Sequence, residues 1–486
     1  FLRMRGYNVM FPLGWDSFGL PTEVYAIKEG VTPKNAIEQA CKDFKKVVQN
    51  VGYAIDWDRE ITTSNPDYYK WTQWIFLKLW EKGFAEVKEM PVWWCKELGV
   101  LADEEIITNE EGKKISEKGS HLVERKMFKQ WVLKIPRYAE KLLEGLDEVN
   151  FPESIKAAQR SWIGRKEGVE VDFVIDGHKV SVFTTRPDTL YGVTFLALSP
   201  QNEVLYKLLD KITNGDEVRK YIENSKQLSD IEKQTKEKTG VKLEGVFAAH
   251  PLGEITKKIP VFVADYIISD YGTGAVMGVP AHDERDYNFA KKYNLEIVEV
   301  VEKPVGNSSK LFMDEGVIKN SGEYDGQHST EFKKTITERL KKEGKGRVSI
   351  TYKLRDQIWS RQRFWGDPIP LIHRKDGKVE ADYNLPVELP EIDKNTVIKG
   401  EAFAPLSEFK DWVKTADSDG NPAERESDTM PTWAGSNWYY LRYIDPKNDQ
   451  VFADDKKMKY WLPVDHYFGG NEHTTVHLLY SRFWHR

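Results

Sequence analysis

A carboxylate near the start of the chain is the first group with a clear chemical use. Asp16 lies in GWDSFGLPTE, residues 14–23, after an apolar run at residues 7–11 that is typical of a strand. Pro21 is suited to the first turn of a helix. A carboxylate between such a strand and helix can bind a substrate ammonium group through a charge-assisted hydrogen bond. It can equally cap a turn or the helix, and the sequence leaves both interpretations open.

A second glycine-containing unit lies near the other end, in WLPVDHYFGGNEHTTVHLLYSRFWHR, residues 461–486. We predict a strand ending near residues 467–468, a turn at residues 469–470, and a helix that carries His473 and His477 on one face. The two units together predict two halves of one nucleotide-binding α/β sheet, separated by a large insertion.

Two polar clusters lie inside that insertion. FTTRPDTLYG places Thr184, Thr185 and Thr189 around a turn, and GTGAVMGVPAHDERDYNFA places Asp283 and Asp286 three residues apart on the first turn of a helix. Carboxylates at a helix N-terminus interact favourably with the macrodipole, so a structural role explains the two aspartates without any function. The clusters are nevertheless candidates for a site.

Four stretches together resemble the class I aminoacyl-tRNA synthetases, and within them the bacterial-type leucyl-tRNA synthetases rather than the isoleucyl or valyl enzymes. They are GWDSFGLPTE, SRQRFWGDPIP (360–370), DTMPTWAGSNWYYLRY (428–443) and WLPVDHYFGGNEHTTVHLLY. The resemblance runs along nearly the whole chain in the right order. It implies ATP-dependent attachment of leucine to tRNA(Leu) through leucyl-adenylate, with leucine and tRNA(Leu) as partners and ATP with Mg²⁺ as cofactor.

The first and last of these stretches imply a site for leucine and ATP. Asp16 would bind the amino group of leucine, with His473 and His477 closing the leucine side. Three further residues would lie near the adenosine: Gly469, Gly470 and Glu472. A histidine pair four residues apart can also indicate zinc, but no third ligand is spaced for it here.

The insertion resembles the editing domain of the same family. By that resemblance Asp286, with Asp283 on the same turn, would hold the ammonium group of a misattached amino acid. Thr184 and Thr185 would line the ester and the terminal ribose, and Thr189 would fill the space that a leucine γ-branch needs. Such a site is useful because a hydrophobic pocket discriminates one methylene by only ~1–3 kcal/mol, as sister synthetases exemplify. Without a Ser-His-Asp order or a metal motif, hydrolysis would rely on a positioned water and hydrogen bonds to the ester.

Length and composition limit the classes of protein to which the chain can belong. The 486 residues predict two or three domains, and no apolar run approaches the ~20 residues of a membrane span. The net charge of −6 does not indicate a nucleic-acid-binding protein, so a tRNA partner needs local basic surface. Two cysteines, Cys41 and Cys95, exclude a disulfide framework and fit a reducing compartment. We expect a cytoplasmic monomer with no membrane association.

The change along the chain from helical patterns to short strand-like runs predicts the domain boundaries. Residues 1–160 and 351–486 are expected to form a split, incomplete Rossmann-like catalytic domain, and residues 165–348 an inserted, strand-rich α/β editing domain. Small inserts are expected at about 91–130 and about 371–427. Within the first part, helices are predicted at residues 33–51, 65–83 and 131–149, and residues 201–245 are expected to form solvated helices on the insertion.

No zinc site is predicted in either small insert. The first insert keeps Cys95, with His121 as the nearest histidine, whereas zinc needs four closely spaced ligands. The second insert lacks the Cys-x-x-Cys pairs of some relatives.

SRQRFWG offers four side chains, either for contacts with the tRNA end or for an Arg–aromatic structural stack. They are Ser360, Arg361, Arg363 and Trp365.

The signatures that handle the ATP phosphates in this class, of the His-Ile-Gly-His and Lys-Met-Ser-Lys-Ser types, do not occur in the sequence. We therefore expect a fragment that does not aminoacylate alone. Two alternatives stay open: a stand-alone or trans-acting aminoacyl-tRNA hydrolase, and a catalytically silent RNA-binding relative. Retention of Asp16, Gly469, Gly470 and His473 argues against the silent relative.

Overall fold

The computed structural model describes residues 1–101, 105–225, 237–267, 273–303, 311–392, 398–399 and 402–486. The chain forms two compact units. Unit 1 comprises Phe1–Gln159 and Asp356–Arg486, and unit 2 comprises Arg160–Arg355. Unit 2 is therefore one continuous insertion between the two parts of unit 1.

Most strands are short, and within the described ranges they fall into six sheets of two to seven strands. In chain order the strands are β1 Gly14–Trp15, β2 Ile61–Thr62, β3 Ala85–Cys95, β4 Gly99–Leu101, β5 Ile106–Thr108, β6 Lys114–Ser116, β7 Glu124–Leu133, β8 Lys166–Ile175, β9 His178–Thr184, β10 Phe195–Leu198, β11 Gly240–Ala249, β12 Ile259–Ala264, β13 Ala275–Gly278, β14 Gly346–Thr351, β15 Gln357–Ile358, β16 Leu371–His373, β17 Val379–Ala381, β18 Ile398–Lys399, β19 Ala402–Phe403, β20 Lys414–Ala416 and β21 Pro422–Arg425.

Helices occur in both units. The α-helices are Leu20–Glu29, Pro33–Val51, Pro66–Glu81, Ala139–Glu148, Glu153–Ile163, Glu203–Leu208, Gly215–Ser225, Glu284–Lys292, Ser329–Lys342, Lys410–Val413, Trp433–Ser436, Tyr439–Arg442, Asp455–Trp461 and His477–His485. Short 3₁₀ helices are Arg3–Arg5, Trp57–Arg59, Ile135–Tyr138, Pro187–Gly192, Gly322–Tyr324, Leu406–Glu408 and Asn471–Thr475.

Unit 2 is built on one seven-stranded mixed sheet. Its order is β13-β10-β12-β11-β8-β14, with β9 also paired to β8. The alternating residues Val169, Val171, Phe173 and Ile175 of β8 point into a core that the helix Ser329–Lys342 covers with Phe332, Ile336 and Leu340. This period of two on a strand against a period of three to four on a helix is the pattern that buries one face of each element.

Unit 1 contains the segments that resemble a synthetase catalytic domain. β1 pairs with β2 in parallel, with Gly14 opposite Ile61. A four-stranded sheet, β15-β7-β3-β4, and a second one, β17-β16-β21-β20, lie in the same unit. The mixed α/β class predicted from the sequence is confirmed.

Two predicted helices in unit 1 form as expected. The helix Pro33–Val51 begins after Thr32, whose hydroxyl accepts a hydrogen bond from Asn35 N at 3.2 Å. The helix Pro66–Glu81 has Pro66 in its first turn and is followed by Gly83 at φ +70°. Local capping and periodicity were sufficient to predict both.

The predicted helix at residues 131–149 is partly wrong. Residues 131–133 end β7, where Trp131 lies opposite Val87 of β3, and the α-helix begins only at Ala139. Cross-strand pairing with a distant segment has overridden the local helical pattern. The predicted strand at residues 7–11 is also wrong: these residues are irregular, and the Phe11 N–H donates to the carboxylate of Asp56 at 3.1 Å.

Residues 201–245 follow the expectation only in part. The helices Glu203–Leu208 and Gly215–Ser225 form, residues 226–236 lie outside the described residues, and β11 begins at Gly240. None of the helices in the described ranges is long and apolar enough to cross a membrane.

Glu23 anchors the first helix to two distant segments, and its replacement by glutamine is expected to destabilise unit 1. The fully buried carboxylate accepts from Trp365 N at 2.7 Å and from Phe403 N at 3.2 Å. Glutamine has one acceptor oxygen, so one of these N–H groups loses its partner at a cost of about 1–2 kcal/mol. Urea unfolding measures the difference. Glu29→Gln, at an exposed position of the same helix, is the matched control; equal stability of the two variants would contradict the anchoring role.

Candidate functional site

The threonine cluster of unit 2 is held in a defined turn. Thr184 ends β9, and its hydroxyl accepts from Arg186 N at 3.0 Å. Thr189 lies in the 3₁₀ helix Pro187–Gly192, is buried, and donates its hydroxyl hydrogen to Arg186 O at 2.8 Å. Thr185, between them, is exposed. Because the Thr189 hydroxyl is used inside the turn, its γ-methyl group is the part left to form a wall.

A buried ion pair fixes this turn from within. Asp188 is completely buried, and its two carboxylate oxygens accept from Arg186 Nε at 3.0 Å and Nη2 at 2.8 Å. Arg186 Nη1 also donates to Met313 O at 2.5 Å. Such a bidentate pair is geometrically specific. Sequence reasoning gave neither residue a role, although TTRPDT contains both.

The two aspartates of the second cluster have different environments. Asp283 is the N-cap of the helix Glu284–Lys292 and accepts from Arg285 N at 2.9 Å and Asp286 N at 3.1 Å. Asp286 accepts from Val279 N at 2.8 Å. Burial, followed by the charge of Asp283, raises the pKa of Asp286 to about 7. Asp283 therefore has the capping role that its position suggests, whereas Asp286 is a partly buried carboxyl near its midpoint at neutral pH.

The structure brings these clusters together although about 90 residues separate them in the chain. Thr194 N donates to Gly278 O at 3.0 Å. A Cβ atom on Gly192 would lie 3.3 Å from Val279 Cγ1, so the end of the 3₁₀ helix packs directly on the segment that leads to Asp286.

His282 connects the second cluster to two later segments of unit 2. It is buried; Nδ1 hydrogen-bonds with Phe312 O at 2.7 Å, while Nε2 accepts from Val300 N at 3.0 Å and Val301 N at 3.2 Å. These partners define the neutral tautomer with hydrogen on Nδ1. Burial lowers the pKa of His282, and the charges of Arg186 and Asp188 act on it as well. Both ring nitrogens are engaged, so His282 supports the site and is not available as a base.

In unit 1, Asp16 is held as a side chain facing solvent. Thr63 Oγ1 donates to Asp16 Oδ1 at 3.2 Å, and Ser436 is a second hydrogen-bond partner. The N-cap position of the following helix is Gly19, without a side-chain cap. The residue is solvent-accessible, yet protein atoms crowd around its carboxylate, and this desolvation raises the pKa of Asp16. Asp16 is thus a candidate for cation binding and not the cap of that helix.

The predicted strand, turn and helix at residues 461–486 form only in part. Residues 463–470 are irregular and exposed, and within the described ranges no strand pairs with them. His473 lies in the 3₁₀ helix Asn471–Thr475, and His477 begins a separate α-helix, so the two do not share one helix face. Their rings nevertheless lie 6.2 Å apart.

His477 and Asp16 come close to the same aromatic residue. The His477 ring stacks on Tyr439 at 5.7 Å, and its Nε2 hydrogen-bonds with the hydroxyl of Tyr467 at 2.6 Å. Burial and then His473 lower the pKa of His477 to about 4. The charge of Asp16 acts on Tyr439 and raises its pKa after the larger effect of burial. A carboxylate and a neutral imidazole therefore flank Tyr439.

The residues predicted to contact the adenosine do not enclose a nucleotide. Gly469, Gly470 and Glu472 are all exposed. A Cβ atom on Gly470 would lie about 2.1 Å from Glu472 Oε1, and nothing lies within 4 Å of the corresponding position on Gly469. The three residues are open to solvent in the described part of the chain, and their contact with ATP stays a prediction.

All four candidate side chains of SRQRFWG have internal partners; Arg361 Nη1 donates to Ser360 O at 3.0 Å. Ser360 Oγ donates to Gln130 Oε1 at 3.1 Å, and Arg363 forms an ion pair with Glu105 at 3.2 Å. Trp365 donates its indole N–H to Ser17 O at 2.8 Å. These contacts favour the structural interpretation for Ser360, Arg363 and Trp365.

Cys95 is buried, and its Sγ accepts from Leu98 N at 3.4 Å. Across the described ranges, no group of three or more His, Cys, Asp or Glu side chains is arranged to hold a metal ion. The absence of zinc stays a prediction.

Comparison with known proteins assigns the two units. Residues 160–341 match the family described as leucyl-tRNA synthetase, editing domain, and residues 1–168 match tRNA synthetases class I (M). The leucine–tRNA ligases of Borreliella burgdorferi (strain ZS7) and Borreliella afzelii (strain PKo) are each 51% identical over 485 residues, covering 97% of this chain and 56% of the relative.

A solved structure agrees with the sequence relatives. The crystal structure of the ternary complex LeuRS-tRNA-LeuAMS from Agrobacterium radiobacter K84 agnB2 matches with a TM-score of 0.80 and 34% identity, covering 99% of this chain and 56% of that one. The chain thus spans about half the length of the relatives it matches. The family resemblance inferred from the motifs is confirmed: nearly the whole chain is similar to leucyl-tRNA synthetases of class I, and residues 160–341 match their editing-domain family.

Proposed function

We propose that unit 2 hydrolyses the ester of mischarged tRNA(Leu). The observation that carries this proposal is the packing of the Thr184–Thr189 turn on the segment that leads from Val279 to Asp286, within a region that matches an editing domain. In this arrangement Asp286 binds the ammonium group of the misattached amino acid. Thr184 and the exposed Thr185 line the ester and the ribose, Thr189 supplies the steric wall, and Asp283 holds the helix start that orients Asp286.

Hydrolysis in this site depends on the positioning of a water molecule and not on a strong base. His282 has no free nitrogen, and the Arg186–Asp188 pair is closed on itself, so neither abstracts a proton from water. The water is instead aligned by hydrogen bonds and attacks the ester carbonyl carbon. As the new carbon–oxygen bond forms, the bond from that carbon to the ribose oxygen breaks, and a proton from the water passes through solvent to the ribose oxygen, which leaves as a hydroxyl group. An ammonium group beside Asp286 favours its carboxylate form, because an opposite charge lowers the pKa that burial has raised.

Unit 1 is proposed to carry the amino-acid side of the synthetic site. Asp16 binds the amino group of leucine, and His477 with His473 closes the side-chain end near Tyr439. The relative from Agrobacterium radiobacter K84 is a complex with tRNA and LeuAMS, which supports tRNA(Leu), leucine and ATP as partners of the longer proteins. Gly469, Gly470 and Glu472 are exposed, and no ATP- or Mg²⁺-dependent step is assigned to this chain.

A second candidate function is an aminoacyl-tRNA hydrolase without synthesis. It is favoured by the contrast between the ordered cluster around Asp286 and the exposed residues at 469–472. A monomeric state, a cytoplasmic location and the absence of membrane association stay predictions from the sequence.

The test is deacylation of isoleucyl-tRNA(Leu) and leucyl-tRNA(Leu) by this chain, with protein-free hydrolysis subtracted. We expect loss of isoleucine with leucine spared. Loss of neither amino acid, from a sample whose circular dichroism shows a folded protein, would contradict the hydrolytic function for this chain. Loss of both at equal rates would contradict the steric role of Thr189.

A further inference from the structure

Asp367 is a buried carboxyl group that the sites described above do not use. Asp367 is 1% exposed, and neither of its carboxylate oxygens has a hydrogen-bond partner within the described ranges. Its backbone is fixed, since Met430 N donates to Asp367 O at 2.7 Å. Buried polar groups in folded proteins are nearly always paired, so an unpaired buried carboxyl is either protonated or made for a ligand.

The position of Asp367 relates it to Asp16. A Cβ atom built on Gly435 would lie 3.6 Å from Asp367 Oδ2 and 3.5 Å from Thr63 Cβ. Thr63 donates to Asp16, and Ser436, the residue after Gly435, is the other hydrogen-bond partner of Asp16. The two carboxyl groups therefore contact one wall, formed by Thr63, Gly435 and Ser436: Asp16 on the side open to solvent and Asp367 in the interior.

The charges around this wall are negative. Burial, followed by the charge of Asp16, raises the pKa of Asp367 well above its ordinary value. Asp367 and Asp16 both raise the pKa of Tyr68, whose hydroxyl donates to Gly435 O at 2.6 Å, and Asp367 acts on Tyr69 together with Glu388.

Arg442 lies close enough to this cluster to lower the pKa of Tyr68. Among the residues that the structure describes, no Lys, Arg or His side chain forms an ion pair with Asp16 or with Asp367. Two carboxyl groups on one wall fit a cation such as a primary ammonium group, which carries one positive charge and three N–H donors.

We propose that Asp367 is a second carboxyl group of the ammonium subsite, lying behind Asp16, which is a neutral acid in the free chain and becomes a carboxylate when a primary ammonium group binds. The inference rests on the proposed role of Asp16 in binding the amino group of leucine. On binding, the O–H bond of Asp367 breaks, the proton passes to solvent, and the electron pair stays on the carboxylate. Asp367 acts across the wall and does not touch the reacting carboxyl group of the substrate, so it is a positioning residue.

Infrared difference spectroscopy at neutral pH tests the inference directly, because a protonated carboxyl has a C=O stretch that a carboxylate lacks. The probe is methylammonium chloride, with tetramethylammonium chloride as the control for ionic strength. We expect a band that is present in the parent chain, absent in Asp367→Asn, and removed by methylammonium only. Methylammonium should bind Asp367→Asn about tenfold more weakly, because the negative charge that attracts the ammonium group across the wall is lost.

A matched control distinguishes this band from that of another buried acid. Burial and then Glu426 raise the pKa of Asp428 to about 8. Its band, identified with Asp428→Asn, should not respond to methylammonium. A second measurement is calorimetry in two buffers of different ionisation enthalpy. Because Asp286 can also release a proton when methylammonium binds, the parent chain is compared with Asp367→Asn, and the parent should release more protons. Absence of the Asp367 band, its persistence at saturating methylammonium, or equal proton release by the two proteins would each overturn the inference.

L-leucine as a second probe separates this inference from the proposed function. If methylammonium removes the band and L-leucine does not bind, the ammonium subsite stands and the assignment of leucine fails. If L-leucine binds through Asp16, as judged by its loss in Asp16→Asn, but leaves the Asp367 band unchanged, the assignment of leucine stands and the inference about Asp367 fails.

Discussion

Asp286→Asn is expected to lower the rate at which this chain deacylates isoleucyl-tRNA(Leu) by about 10- to 100-fold, the loss expected for one charge-assisted hydrogen bond to the substrate ammonium. Asparagine is nearly isosteric, and its amide oxygen can accept the Val279 N–H bond that Asp286 accepts at 2.8 Å. The substitution therefore removes the charge while the local hydrogen bond is kept. Single-turnover deacylation measures the rate.

The pH dependence gives a second measure of the same residue. Because the pKa of Asp286 is raised to about 7, the carboxylate that binds ammonium forms as the pH rises through that value. We expect the parent rate, corrected for uncatalysed hydrolysis, to rise between about pH 6 and pH 8, and the rate of Asp286→Asn to lack this step.

The stability of the fold should change with pH in the opposite direction to the deacylation rate. A carboxyl whose pKa is raised in the folded state stabilises the fold below its ordinary pKa of 3.8, and this contribution is lost as the pH rises through about 7. Between pH 3.8 and about pH 7, the free energy of unfolding of the parent should fall by up to about 4 kcal/mol relative to that of Asp286→Asn.

Equal deacylation rates for the two proteins would exclude Asp286 from ammonium binding. Asn202→Ala, which removes a helix N-cap elsewhere in unit 2, controls for a general loss of stability.

Thr189→Ala is expected to make leucyl-tRNA(Leu) a substrate, with a rise in leucine release of about 10- to 100-fold. The Thr189 hydroxyl donates to Arg186 O at 2.8 Å, so the γ-methyl group is the part that can exclude a leucine γ-branch. Alanine removes that methyl group and opens the space. Parallel deacylation of leucyl- and isoleucyl-tRNA(Leu) gives the change in selectivity.

Thr189→Val separates the steric role from the hydrogen bond. Valine keeps a γ-methyl group in the same place and loses only the bond to Arg186 O, which is worth about 1 kcal/mol. We expect this variant to spare leucyl-tRNA(Leu) while unit 2 unfolds at a lower urea concentration. If Thr189→Ala still spared leucine, or if Thr189→Val released it as fast as Thr189→Ala does, the wall would lie elsewhere.

Local signals in the sequence predicted the helices that local interactions stabilise. The helix Pro33–Val51 has its cap at Thr32, its proline in the first turn and Gly52 after its end, all within the segment itself. The helix Glu284–Lys292 likewise begins at a capping Asp283. These features involve residues at most four positions apart, which is why they can be read without the fold.

Non-local pairing explains the predictions that were wrong. Residues 131–133 have a helical pattern and yet form a strand, because β3 offers them a partner about 45 residues away. Residues 463–468 were predicted as a strand but have no neighbouring strand within the described ranges, so their backbone groups do not form a ladder. A strand needs a partner that its own sequence does not contain.

For the candidate site too, the sequence predicted the local features and the structure showed the non-local ones. The sequence by itself determined which residue types are present for chemistry, the family that they resemble, and the start of a helix at Asp283 and Asp286. Only the tertiary structure decided that the Thr184–Thr189 turn packs on the segment leading to Asp286, that Arg186, Asp188 and His282 support it, and that Asp367 shares a wall with Asp16. Motifs record local chemistry, whereas burial and electrostatic environment arise from contacts between segments far apart in the chain.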